Sequence, residues 1–264
     1  MKIRKIDSEL LSLKTTSGIY PFQLPIFIYF LDGIMIDAGS SRVLKKIKPF
    51  LKKEKIDSVA ITHIHEDHTG TAFWIEKNLN IPIFLSSNSI EEAAQKTKLP
   101  LYRKLVWGNR NSFKAKPLPK YIETKKYKLE VIPSPGHHPH HVLFYEKNKG
   151  WIFTGDLYVS RKQKVAFKDE NISEAIETIK NILKLDFDTL FCSHSGVNQK
   201  GKEKLKKKLN FFEEIQSKVE ELKKKGFSYG KIKKIIFPKP DLWEIISHGE
   251  WSTLNIVKTV LPDR

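Results

Sequence analysis

One cysteine, Cys192, stands in 264 residues, so no internal disulfide can brace the chain and a reducing compartment is the expected setting. Long apolar runs are missing too. No window approaches the roughly twenty apolar residues that a membrane-spanning helix needs. The opening MKIRKIDSELLSLKTTSG has no apolar core followed by a small-residue cleavage site. Membrane insertion and export are therefore not expected, and the chain reads as cytoplasmic. Arginine is scarce, with six among 47 basic residues. Nucleic-acid surfaces draw on arginine's planar fork for phosphates and base edges. The formal charge of +17 thus reads as lysine spread over solvated helix faces, clustered at Lys45 to Lys55 and Lys202 to Lys208, rather than as a nucleic-acid footprint. Neither a serine nucleophile elbow nor a phosphate-cradling loop is expected.

Apolar surface, by contrast, is plentiful. Hydrophobic residues make up 40% of the chain, with five Trp and sixteen Phe, enough to offset the entropy of ordering a packed globular protein. PIFIYFLDGIMIDAGSS reads as two core strands joined at Asp32-Gly33, a pair suited to a tight hairpin turn. Val43, Leu44, Ile47, Phe50 and Leu51 then recur at helical spacing, and DSVAIT follows as a short buried strand. Further strands are expected at IPIFLSS, YKLEVIPS, HVLFYEK, GWIFTGD and DTLFCSH, with an amphipathic helix over ISEAIETIKNILKL capped by Asn171 or Ser173. Interleaved strands and helices to about residue 200 predict an α/β layered body with sheets inside and helices outside.

From Gly201 the pattern turns to helix alone. Leu205, Leu209, Phe212, Ile215, Val219 and Leu222 form one stripe ended by Gly226, and shorter helices follow on either side of Pro238 and Pro240. We divide the chain into a catalytic body over 1–200 and a helical extension over 201–264. The stripe packs on the parent body or forms a dimer seam, leaving monomer and homodimer both open. Residues 98–127 are polar, proline-containing and aromatic, so a loop or lid is expected there, with Tyr102, Trp107 and Phe113 lining a pocket or anchoring the segment.

The chemistry concentrates in THIHEDHTG. His63, His65, Asp67 and His68 fall within six residues directly after an apolar strand, where a turn can aim them at one point. Imidazole and carboxylate suit zinc or iron, and such a site draws further ligands from elsewhere in the chain. SPGHHPHHV offers His137, IFTGD offers Asp156 and FCSHSG offers His194, each at the end of an apolar run. Singly, a His or Asp after a strand is a turn or capping residue; their order and common context give them weight.

In H-x-H-x-D-H, followed in order by PGH, GD and SH, with Asp37 in IDAGS ahead of them, the chain resembles the metallo-β-lactamase superfamily from about Asp37 to His194. The resemblance implies a four-layer αββα sandwich. It also implies that His63, His65 and His137 hold one divalent metal and Asp67, His68 and His194 a second, with Asp156 bridging both and Asp37 supporting the ligands from behind. The family's usual PGHTPGH carries His138 and His140 here in place of threonine and glycine, and His141 matches the second, usually non-ligand histidine. His248 reads as a surface residue, and Cys192 as a small buried hydrophobe.

Two divalent ions, zinc expected and manganese or iron as alternatives, can share a water, lower its pKa and polarise the carbonyl or phosphoryl group it attacks. Asp67 is the candidate catalytic residue, orienting that water or taking its proton. The expected enzyme is a binuclear metallo-hydrolase acting on an ester-like bond of a small molecule, a thioester or lactone. Tyr158 and His141 are weaker candidates for contacting substrate. A phosphodiesterase or ribonuclease of the same fold is the alternative, and a mononuclear-iron persulfide dioxygenase a further one, against which the presence of both Asp67 and His194 argues.

Overall fold

A computed structural model describes residues 1–20, 22–239 and 241–262. Thirteen strands form two sheets among these residues. The first sheet runs in chain order: β1 (Lys2–Lys5), β2 (Leu10–Ser17), β3 (Leu24–Leu31), β4 (Ile34–Ile36), β5 (Ser58–Ala60), β6 (Ile83–Leu85) and β7 (Lys116–Pro117). The second contains β8 (Tyr121–Glu123), β9 (Lys128–Pro133), β10 (Val142–Glu146), β11 (Trp151–Gly155), β12 (Thr189–Cys192) and β13 (Gly196–Asn198), again as sequential neighbours. Strands β1 to β4 are antiparallel, whereas β4, β5, β6 and β7 pair in parallel. In the second sheet only β11 and β12 are parallel.

Every residue of β10 and β11 is buried, as expected of strands covered on both faces. Between the sheets Tyr29, Ile36, Phe144, Phe153 and Phe191 form one apolar layer, with Phe153 stacked on Phe191 at 4.6 Å. On the outer face of the first sheet Val43, Ile47 and Leu51 join Trp74 and Ile75, from α1 (Leu44–Lys53) and α3 (Ala72–Leu79). On the outer face of the second, Ile176 and Ile179 of α6 (Ile172–Ile182) meet Leu205, Phe212 and Val219 of α7 (Gly201–Lys224). The result is the expected αββα order, each buried aromatic contributing about 1.5–3 kcal/mol of burial energy. The short helices are α2 (Glu66–Thr69), α4 (Ile90–Ala93) and α5 (Leu101–Val106).

Local chemistry agrees with several sequence expectations. Asp32 and Gly33 both have positive φ, 44° and 90°, in the β3–β4 turn. Asn171, rather than Ser173, caps α6, its side chain accepting from the Glu174 N–H at 3.1 Å. The α7 stripe packs on the second sheet and α6 rather than lying bare. Helix α7 ends where Gly226 N–H donates to the Lys223 carbonyl and Phe227 N–H to the Leu222 carbonyl, a Schellman closure that requires the left-handed Gly226. Next come α8 (Tyr229–Ile236), α9 (Leu242–Ile246) and α10 (Thr253–Thr259); Pro240, expected as a separator, lies outside the described residues.

Other expectations need correction. Residues 2–17, unassigned from sequence, contain β1 and β2; β1 is exposed throughout, and in β2 the buried Ser12, Thr15 and Ser17 obscure the alternation. The supposed loop over 98–127 contains α5, β7 and β8. A G-x-S-x-G pattern does occur, over Gly226 to Gly230, but it links two helices, and Ser228 caps α8 rather than standing on a strand-to-helix elbow. Gly196 to Lys202 matches most of a phosphate loop, yet Glu203 occupies the position that needs a hydroxyl. No helix among the described residues is long and apolar enough to cross a membrane.

Candidate metal centre

Strands β4 and β5 are parallel neighbours, so both release their chains at the same edge of the first sheet. Asp37 follows β4 directly in a left-handed conformation, φ 59°, which an aspartate tolerates better than most residues. Its N–H donates to the Ala60 carbonyl at 3.0 Å, fastening it beside the exit of β5. From that exit come Thr62, His63 and His65, and then the single helical turn α2, which presents Asp67 and His68. Thr69 Oγ1 donates to the Ile64 and His65 carbonyls, closing the turn. The second sheet contributes His137 from the β9–β10 connection, Asp156 one residue beyond β11 and His194 two beyond β12.

These residues converge. His63, His65 and His137 present ring nitrogens within 4.8 Å of one another, and Asp67, His68, Asp156 and His194 do the same with their own ligand atoms. His63 Nε2 lies 3.0 Å from His65 Nδ1, and His137 Nε2 3.2 Å from the same atom. His194 Nε2 lies 3.1 Å from both Asp67 Oδ2 and Asp156 Oδ2. Asp156 stands between the groups, its Oδ1 3.5 Å from His68 Nε2 and its Oδ2 3.6 Å from His137 Nε2.

The outward nitrogens tell which atoms are free. His68 Nδ1 donates to Asp37 Oδ2 at 2.8 Å, His194 Nδ1 to the Pro25 carbonyl at 2.8 Å, and His63 Nδ1 to Thr62 Oγ1 at 3.1 Å. His65 Nε2 faces Asp169 Oδ2 at 3.6 Å, and His137 Nδ1 faces Glu170 Oε2 at 3.5 Å. Each of the five imidazoles therefore directs one nitrogen at an oxygen acceptor and the other at the shared centre, the arrangement that fixes tautomer and orientation in metal-ligating histidines. His68 Nε2 and Asp156 Oδ1 are buried with no hydrogen-bond partner, two orphaned ligand atoms that a cation between them would satisfy.

Electrostatics point the same way. Burial alone would lower the pKa of His194, yet Asp156 and Asp67 hold it well above the usual imidazole range. His68 behaves likewise under Asp37, Asp67 and Asp156. Burial would raise Asp67, but His68 and His194 keep its carboxyl at about 2. Positive charge is thus strongly favoured beside these carboxylates.

A cavity of about 340 Å³ opens over the cluster. Trp107, Phe167, Trp243 and Trp251 form much of its wall, with Phe167 stacked on Trp251 at 4.6 Å and Trp107 5.7 Å from the His194 ring. Of the pocket residues expected over 98–127, only Trp107 lines this cavity; Phe113 is buried in the core behind the first sheet.

Tyr158 and His141 fall elsewhere. Tyr158 is buried with Leu157 and Ile176 in the core under α6 and is not in the cavity wall. His141 is a buried clamp, its Nδ1 paired with Ser134 Oγ at 2.7 Å while its Nε2 accepts from the Asp156 N–H at 3.3 Å. Cys192 is fully buried, its Sγ accepting from the His194 and Ser195 N–H groups. His138 Nδ1 accepts from the His140 N–H, and His248 is exposed. Sequence reasoning missed Asp169, Glu170, Phe167 and the tail residues Lys208, Trp243 and Trp251, all of which surround the site.

Comparison with known proteins agrees with this geometry. The family model described as "Metallo-beta-lactamase superfamily" matches residues 23–194. The "Probable metallo-hydrolase YybB" of Bacillus subtilis is 24% identical over 212 residues, covering 74% of this chain and 91% of that protein. The "Hydroxyacylglutathione hydrolase GloC" of Haemophilus influenzae is 26% identical over 138 residues, covering 48% of this chain and 61% of its own length. Among solved structures, a beta-lactamase domain protein from Burkholderia ambifaria superposes with a TM-score of 0.72 at 15% identity, covering 98% of this chain, helical tail included, and 85% of its own. With the family model spanning most of the chain and both clusters of His and Asp inside that span, the protein belongs to the metallo-beta-lactamase superfamily.

Proposed function

We propose that the protein is a hydrolase that holds two divalent ions, zinc by ligand chemistry, and cleaves a thioester or lactone bond of a small metabolite. His63, His65 and His137 would hold one ion and Asp67, His68 and His194 the other, with Asp156 shared. The observation that carries this reading is the set of five imidazoles, each anchored through its outer nitrogen and converging through its inner one. A closed structural zinc site uses four ligands, whereas here seven converge beneath an open cavity. When bound, the ions supply a water acidic enough to attack near neutral pH and polarise the scissile carbonyl.

The chain's own residues orient that attack. Asp67 Oδ2, 3.1 Å from His194 Nε2, faces the cavity and is placed to hold a proton of the attacking water. Trp107, Phe167 and Trp251 exclude bulk solvent and offer an apolar wall for an acyl group. The acyl assignment draws support from a relative named as a hydroxyacylglutathione hydrolase. Elemental analysis of protein purified without added metal tests the reading, alongside Asp67→Ala and His194→Ala. Two zinc-like ions per chain, falling toward one in the variants, are expected, with turnover in a screen of thioesters and lactones. One iron per chain, unchanged in His194→Ala, overturns the proposal.

A further inference from the structure

Helix α7 carries lysines at 202, 204, 206, 207 and 208, and their neighbours mark Lys208 as different. Lys202 and Lys204 reach Asp186 and Asn198, and Lys206 and Lys207 are exposed. Lys208 is only 3% exposed and sits on the buried stripe with Leu205, Leu209 and Phe212. Among the described residues it makes no hydrogen bond and no ion pair; its Nζ lies 5.2 Å from the Phe212 ring centroid. So little exposure with no hydrogen-bond partner compensates an ammonium poorly, and an apolar residue would suit this stripe better on packing grounds.

The side chain nonetheless reaches the wall of the cavity that holds His137, Asp156 and His194. The acidic groups that act on it are Glu170, then the Cys192 thiol, then Asp156; the two carboxylates are the ones that could pair with it. Both carboxylates are committed elsewhere: Glu170 accepts from the Phe167 N–H and from Gln163 and faces His137, while Asp156 faces His68, His137 and His194. Burial also pulls the Lys208 ammonium below its ordinary range, so an arriving anion would gain a poorly solvated charge. With aromatic rings from Phe167, Trp243 and Trp251 in the wall of the same cavity, that attraction acts in a medium of low dielectric.

We propose that Lys208 is the receptor for an anionic oxygen group, a carboxylate or a phosphate, carried by the substrate away from its scissile bond. The substrate is then an anionic acyl compound rather than a neutral ester; the identity of the scissile bond rests on the hydrolase reading, while the anion seat does not. The helical tail in this way selects what the metal-facing edge of the sandwich cleaves.

Calorimetric titration of metal-loaded wild type, Lys208→Met and Lys208→Gln with succinate and with inorganic phosphate tests the seat. Expected is binding of one of them by wild type, weakened about tenfold or more in each variant that folds; the anion affected names the class. Equal affinity across the proteins, or no binding by wild type, overturns the proposal. A second arm compares hydrolysis of the S-phenyl monothioester of succinic acid with that of the same compound methylated at its free carboxylate. Wild type should prefer the free acid, and the preference should collapse in Lys208→Met. An equal loss on both compounds assigns Lys208 to structure and overturns the seat. If wild type cleaves neither compound, the thioester reading fails on its own, and the calorimetric result still decides the role of Lys208.

Discussion

Asp37 gathers donors from three residues: the Thr62 N–H and hydroxyl, His68 Nδ1 and the Ser193 hydroxyl, all within 3.0 Å. It ties both sheets to the ligand loop although it never faces the cavity. Replacing it by Asn keeps a residue that tolerates positive φ but removes an acceptor, so His68 loses its orientation. Asp37→Asn should weaken metal binding about 10- to 100-fold, measured by competition with a chelator; unchanged affinity would show that His68 is positioned by packing instead. The seven converging His and Asp residues were legible in the sequence because each follows an apolar run and their order is distinctive. Asp169 and Glu170 were not: adjacent acids ahead of a helix cap look like ordinary first-turn charge. Lys208 was read as part of a solvated lysine face, since a helical stripe counted on apolar residues alone skips over it.

Among the elements, two glycines, one ending α7 and one in the β9–β10 connection, show which contacts the site depends on. Gly226 has φ 80°, and a Cβ built there meets nothing within 4 Å. Gly136 has φ 131°, and its Cβ would lie 2.6 Å from Cα and Cβ of Ala175 in α6. Gly226→Ala should therefore cost only left-handed strain, about 1–2 kcal/mol, or about 2–8 °C in melting temperature for a chain of this size. Gly136→Ala must push α6 away from the turn that carries His137, so it should lose metal as well as stability. Elemental analysis beside thermal unfolding checks the pair, and equal metal content in both variants would refute the difference. The helices and most strands were readable from periodicity and caps. Strand β1 escaped because its four residues are all exposed and mostly charged, β2 because buried hydroxyls interrupt its apolar pattern, and α5 because its six residues carry only a short apolar pattern.

At the scale of the whole molecule, 47 basic against 30 acidic residues leave +17 on one compact body. Like charges at that density repel one another, so salt should stabilise the fold. Raising ionic strength from about 0.01 M to about 0.15 M shortens the screening length from about 30 Å to about 8 Å. The melting temperature of the metal-loaded protein should rise over that range, and a fall would place the dominant electrostatic contribution in attractive pairs such as the buried Glu66–Arg103 bridge. A layered body with sheets inside and helices outside was legible from the interleaving of strand and helix, and the four-layer order from the family resemblance; that the tail reaches back to wall the cavity was not, because nothing local in Trp243 or Trp251 records what lies across the fold. Those two indoles and Trp107 share the cavity wall, while Trp74 and Trp151 are buried outside it. The protein thus carries its own optical reporter: a ligand entering the cavity displaces water from three fluorophores at once and leaves two as a constant background, so occupancy can be followed by emission without a label.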